Sequence, residues 1–125
     1  MRKLKTLVAD DSSIVRERFV EMLSRIKNVE VVGQSCNGKE ALDMILDLRP
    51  DVALLDINMP GMNGIEVLTT IKTKKPDIKV ILFTSFTTPG IQEECIKHGA
   101  DYFFQSNSIE SLIDLLGSMR YVMKT

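Results

Sequence analysis

The sequence is poor in the residues that thiolate metal clusters, nucleic-acid clamps and membrane spans depend on. Its two cysteines, Cys36 and Cys95, lie far apart and form no Cys-x-x-Cys pair. With one histidine, His98, they do not make a zinc cluster, and they read as two reduced thiols of a cytoplasmic protein. The net charge is −1, which argues against direct nucleic-acid binding, since phosphate backbones are held by clustered Lys and Arg. No apolar run approaches the ~18 residues of a membrane span, so no membrane partner is expected. The opening MRKLKTLVADDSS is basic, but its short apolar run ends on two aspartates, unlike a secretory signal. There is no internal repeat, low-complexity tract or linker. The expectation is one domain over residues 1–125 with no output domain attached.

What remains is an ordinary soluble composition, 44% hydrophobic and 26% charged over 125 residues. A chain of this size buries roughly two-thirds of its unfolded surface. Its hydrophobic pattern alternates between two periods. Leu4 to Ala9, Val29 to Val32, Val52 to Leu55, Ile78 to Phe83 and Asp101 to Phe104 are short strand-like runs. Between them the spacing becomes helical, as in Val15, Phe19, Met22, Leu23 and Ile26. Asn37 with Glu40, Asn63 with Glu66 and Asn107 with Glu110 are spaced as N-caps with their N3 partners. Thr88-Pro89 marks a fourth helix start, Gly99 a stop. The last helix puts Ile109, Leu112, Ile113, Leu116 and Met123 on one face.

Five strands alternating with five helices predict an α/β fold: a (βα)5 doubly wound parallel sheet in the flavodoxin-like order 2-1-3-4-5. That order sets strands 1 and 3 side by side. Strand 1 ends in Asp10-Asp11 and strand 3 in Asp56, so the fold would gather three carboxylates separated by up to 46 positions. Two carboxylates ~4 Å apart repel by about 4 kcal/mol at an effective dielectric of ~20, so the group calls for a cation. All-oxygen donors select Mg2+, or a similar hard ion such as Mn2+, over zinc. Taken singly, Asp-Asp-Ser before a helix is an N-cap and Asp56 before a turn is a turn former; those readings do not explain why both fall at neighbouring strand ends. A second motif, GQSCNGKE, imitates a phosphate-binding loop through Lys39. The position that should carry a metal-binding hydroxyl is Glu40, which serves better as a capping residue.

Asp10-Asp11, LLDINMPGMNGIEVL around Asp56, ILFTS with Thr84 and GADYF together resemble the receiver domain of bacterial two-component response regulators, CheY-like proteins. The resemblance covers essentially the whole chain. It implies that Asp56 accepts a phosphoryl group from a histidine kinase or phosphotransfer protein. It also implies that Asp11 and Asp56 bind Mg2+ directly, Asp10 through water and Asn58 through its backbone carbonyl. Thr84 matches the switch hydroxyl and Phe103 the switch aromatic, although alone they read as a turn residue and a core residue. The family's lysine should stand at Ser106, and Gly99 to Met123 contains no lysine at all. A serine offers a neutral hydrogen bond, roughly half as strong as a charge-assisted one, so phosphorylation efficiency is in question while metal binding is not. The rival reading is a receiver-fold interaction module that works without phosphorylation. An aspartyl phosphohydrolase would need a second carboxylate where Asn58 stands.

The partner surface is expected on the last two helices and strand 5, serving a downstream protein target or a homodimer. The Ile91 to His98 helix has few apolar positions, so its packing should be weak. The last helix carries a second apolar stripe, Leu115, Met119 and Val122, which reads equally as docking surface or as a broad core face.

Overall fold

The structure, a computed structural model, describes residues 3–85, 88–105 and 109–119. Ser106, the Asn107 cap, Val122, Met123 and the side chain of Ile109 lie outside the described residues. The chain runs β1 (Leu4–Ala9), α1 (Ser13–Ser24), β2 (Val29–Ser35), α2 (Gly38–Leu48), β3 (Val52–Asp56), α3 (Gly64–Lys74), β4 (Lys79–Thr84), α4 (Ile91–Lys97), β5 (Tyr102–Gln105) and α5 (Ile109–Ser118). The strands form one parallel sheet in the order β2-β1-β3-β4-β5, as the sequence predicts.

Strand side chains alternate between the two faces of the sheet, and each face has its own core. Val8, Val52, Leu54, Ile81 and Phe83 meet Phe19 and Leu23 of α1 with Leu112 and Leu116 of α5. Phe19 and Phe83 pack as tilted rings, centroids 4.6 Å apart. Leu7, Ala9, Ala53, Leu55, Val80 and Leu82 meet α2, α3 and Cys95 of α4. Covering both faces makes the central strands apolar throughout. Burying one such Leu or Val contributes about 1.5–3 kcal/mol, and β3 buries all five of its residues.

Local chemistry sets the helix starts. Ser12 caps α1, Asn37 accepts from the Glu40 N–H at 2.8 Å, and Asn63 with Glu66 closes a full capping box. The Lys39 loop is therefore the start of α2, with Lys39 paired to exposed Asp43 at 3.0 Å.

Several boundaries differ from the sequence expectation. β2 continues past Val32 to Ser35, because a register step opposite Thr6/Leu7 absorbs one residue and pairing with β1 resumes. α4 begins at Ile91, not at Thr88-Pro89. The Thr88 carbonyl accepts the Ile91 N–H at 3.1 Å, and Gly90 turns the chain at φ 84°. β5 starts one residue late because Asp101 is engaged below it: its carboxylate accepts from Val80 N–H at 2.8 Å and from Lys72 at 2.7 Å. Leu115 of α5 and Met119 just beyond its end are half-buried against the α1/α5 core, so there the second stripe is core face. The exposed large apolar side chains at this edge are Ile96 on α4 and Tyr102 on β5.

Candidate functional site

Ala9 of β1 lies opposite Leu55 of β3, so Asp10 and Asp56 leave adjacent strands at the same height. One carboxylate oxygen from each of Asp10, Asp11 and Asp56 can be chosen so that all three lie within 4.8 Å of one another. Asp10 and Asp56 are buried, 3% and 8% exposed, and Asp11 is exposed to solvent. The convergence expected from strand order is present.

Each acid is held by its own turn. The Asp10 N–H donates to the Ser35 carbonyl at 3.0 Å. Its Oδ1 accepts the Ser12 N–H at 2.8 Å, and its carbonyl accepts from Arg16 Nη1 at 2.8 Å. Asp56 Oδ1 accepts the Asn58 N–H at 3.1 Å. Beyond Asp56 the loop is pinned by buried Ile57 and Met59. Gly61 makes the turn at φ 74°. Gly64 lets α3 start against the strand end, since a Cβ there would stand 2.5 Å from the Asp56 carbonyl oxygen.

The electrostatics are unfavourable as they stand. Burial pushes the Asp56 carboxyl up to about 7; the Asn58 N–H opposes this, while Asp10 and Asp11 reinforce it. Asp10 is also raised, chiefly by burial, with the Ser12 N–H pulling the other way, Asp11 raising it further and the Arg16 charge lowering it. Three oxygen donors gathered in one place, two of them buried, suit a hard divalent cation.

Thr84 closes β4 beside this cluster, 1% exposed. Its hydroxyl accepts from the Asn58 side-chain amide at 3.2 Å, so the residue expected to act through its backbone carbonyl also ties the acid loop to Thr84. A cavity of about 250 Å³ lies alongside, lined by Ile57, Asn58, Thr84, Thr88 and Ile91. Phe103 is half-buried on the α2–α4 side. Ser106 lies outside the described residues. Sequence reasoning missed Arg16 and the Asn58 side-chain contact. For Arg16 a signal existed: it shares its helix face with Val20 and Leu23, at i+4 and i+7, where an outward-facing charge would be out of place.

Comparison with known proteins agrees over most of the chain. The family model for the response regulator receiver domain matches residues 6–116. A protein-glutamate methylesterase/protein-glutamine glutaminase of Clostridium acetobutylicum is 42% identical over 102 residues, 80% of this chain and 30% of that one. The response regulator GacA of Pseudomonas aeruginosa is 32% identical, covering 90% of this chain and 53% of GacA. Among solved structures, the signal receiver domain of NarL from Mycobacterium tuberculosis superposes with a TM-score of 0.86 at 31% identity, over 95% of this chain and 100% of that one. The response regulator domain of Thermotoga maritima CheB gives 0.81 at 30%, covering 96% and 100%. The chain thus spans about 30% of the methylesterase, and the activities in that name belong to that protein.

Proposed function

The chain belongs to the response regulator receiver domain family, and from that premise we propose that Asp56 is its phosphoacceptor. The observation that carries this reading is the gathering of Asp10, Asp11 and Asp56 within 4.8 Å at the ends of β1 and β3. An Asp56 oxygen attacks the phosphorus of a phosphohistidine on a histidine kinase or phosphotransfer protein. The new P–O bond forms as the P–N bond breaks, and the leaving imidazole takes up a proton. Water later attacks the phosphorus, releasing inorganic phosphate and restoring the carboxylate.

Asp11 and Asp56 would hold Mg2+ or Mn2+, with Asp10 behind them and the Asn58 carbonyl beside them. The bound ion supplies the positive charge that two anionic reactants need in order to meet. The chain's own residues do the rest. The Asn58 N–H orients the Asp56 carboxylate. Thr84 responds to the phosphoryl group by leaving Asn58, and Phe103 follows. The signal is read by a protein target or a second copy at α4, β5 and α5, where Ile96 and Tyr102 are exposed. A cytoplasmic location goes with this reading, and two free thiols support it.

The test is acyl-phosphate formation from acetyl phosphate with Mg2+, followed by mass spectrometry. The wild type is expected to gain one phosphoryl group and Asp56→Asn none; equal labelling of Asp56→Asn overturns the assignment. Ser106→Lys should label faster by a factor of about 10² or more, because a positioned ammonium stabilises the developing phosphoryl charge. Metal affinity should stay within about a few-fold, since no ligand changes.

A further inference from the structure

Arg16 stands apart from the other described arginines. Arg18, Arg25 and Arg49 are exposed, and Arg16 is half-buried at the end of the first turn of α1. Its Nη1 donates to the Asp10 carbonyl at 2.8 Å and its Nε to Gln34 Oε1 of β2 at 3.3 Å. Neither acceptor is a carboxylate, so the side chain is a fork across three elements and not a surface ion pair. Asp10 is fixed at three further points. The Ser35 carbonyl takes its N–H, the Ser12 N–H holds its carboxylate, and the strand pairing of Ala9 sets its height. The carbonyl of Asp10 is a fourth point, and Arg16 supplies its donor.

We propose that Arg16 is a positioning residue for the acid site: its fork between Asp10 and Gln34 fixes the β1–α1 turn, so that the Asp10 carboxylate faces Asp11 and Asp56. The consequence for metal binding rests on the cation reading above; the positioning itself does not. Geometry and charge predict opposite signs. As a bare charge, Arg16 repels a divalent cation, and its removal would tighten binding. As a brace it holds an acid in place, and its removal weakens binding. Outer partners that orient a metal-site acid are commonly worth about 10–100-fold in affinity.

The experiment compares wild type, Arg16→Met, Arg16→Lys and Gln34→Ala as the full chain. Amide exchange at Ser12 is followed by NMR without metal, and Mg2+ is titrated separately. Without the brace, Ser12 exchange should rise about tenfold in Arg16→Met, the effect of losing roughly one charge-assisted hydrogen bond. Arg16→Lys should behave similarly, because an ammonium keeps the charge but loses the fork. The Mg2+ dissociation constant should rise about tenfold in Arg16→Met and less in Gln34→Ala. Unchanged Ser12 exchange with tighter Mg2+ binding overturns the proposal in favour of charge alone. A lower melting temperature with both site readouts unchanged overturns it in favour of general stability. Should Arg16→Met fail to fold, Arg16→Lys and Gln34→Ala carry the same comparison. If wild type binds no Mg2+ while Ser12 exchange still rises in the variants, the brace stands and the cation reading falls.

Discussion

β3 and β5 are parallel strands of one sheet in opposite surroundings. β3 is paired on both sides, all five of its residues are buried, and it ends in Asp56. β5 has one neighbour, exposes Tyr102 and Gln105, and leaves Phe103 and Phe104 half-buried. The seven-residue α4 before it buries only Cys95. The difference separates two tasks. An acid that must meet other acids at a set distance sits where displacement would unpack the core. The surface proposed above to carry the signal sits where few apolar contacts hold it.

The largest expected effect comes from amide exchange. Leu54 and Leu55 in β3 should exchange only through global unfolding, and Glu94 and Cys95 in α4 about 10²–10³-fold faster by local opening. Equal protection of both segments would break the comparison. The second effect concerns the fastening at the base of β5. Asp101→Ala takes the carboxylate from the Lys72 ammonium, which keeps the Ile78 carbonyl, and removes the acceptor of the Val80 N–H, and should cost about 2–3 kcal/mol in urea unfolding. Asp43→Ala removes an exposed pair with Lys39 and should cost under about 0.5 kcal/mol. Similar losses would mean that β5 is loose at its base too.

The third effect is a pH dependence confined to the acid end. Without metal, folded Asp56 holds its proton up to about 7 while the unfolded side chain releases it near 3.8. Between those values the native state binds more protons, so stability falls as pH rises. From about pH 5 to pH 8 the melting temperature should drop by roughly 10 °C, and Asp56→Asn should flatten much of that slope. Asp10, also raised, contributes in the same direction. A slope unchanged in Asp56→Asn would show that the burden lies elsewhere.

The sheet order and the acid cluster were legible in the sequence because periodicity gives five alternating strands and helices, for which 2-1-3-4-5 is the common order. Apolar runs mark the strands, and in a parallel sheet Asp10, Asp11 and Asp56 then fall at one edge. Contacts that depend on side-chain reach were not legible. Asn58 to Thr84 spans 26 positions and joins two loops that no local pattern relates. The helix face of Arg16 was legible, but its partners, a backbone carbonyl and an amide side chain, were not. The start of α4 was missed because a turn at Gly90 outcompeted the proline signal. The second stripe of α5 was open between two uses, and Leu115 and Met119 went to the core because the α1 side of the sheet has room for a wide apolar face.

The register step in β2 has a bearing on how the chain can change length. Residues Val29 and Val31 face the α1 side before the step, and a side chain at Gly33 would point at Met44 and Leu48 of α2 after it. The ladder therefore accommodates one residue, Val32, that a regular alternation would omit. Removing Val32 would leave Gln34 facing Arg16 and Ser35 beside Asp10. Removing one residue from β3, which is paired on both sides, would turn Leu55 and Asp56 to the opposite face. The outer strand can thus lose Val32 without reaching the chemistry, while the central strand must keep its residue count.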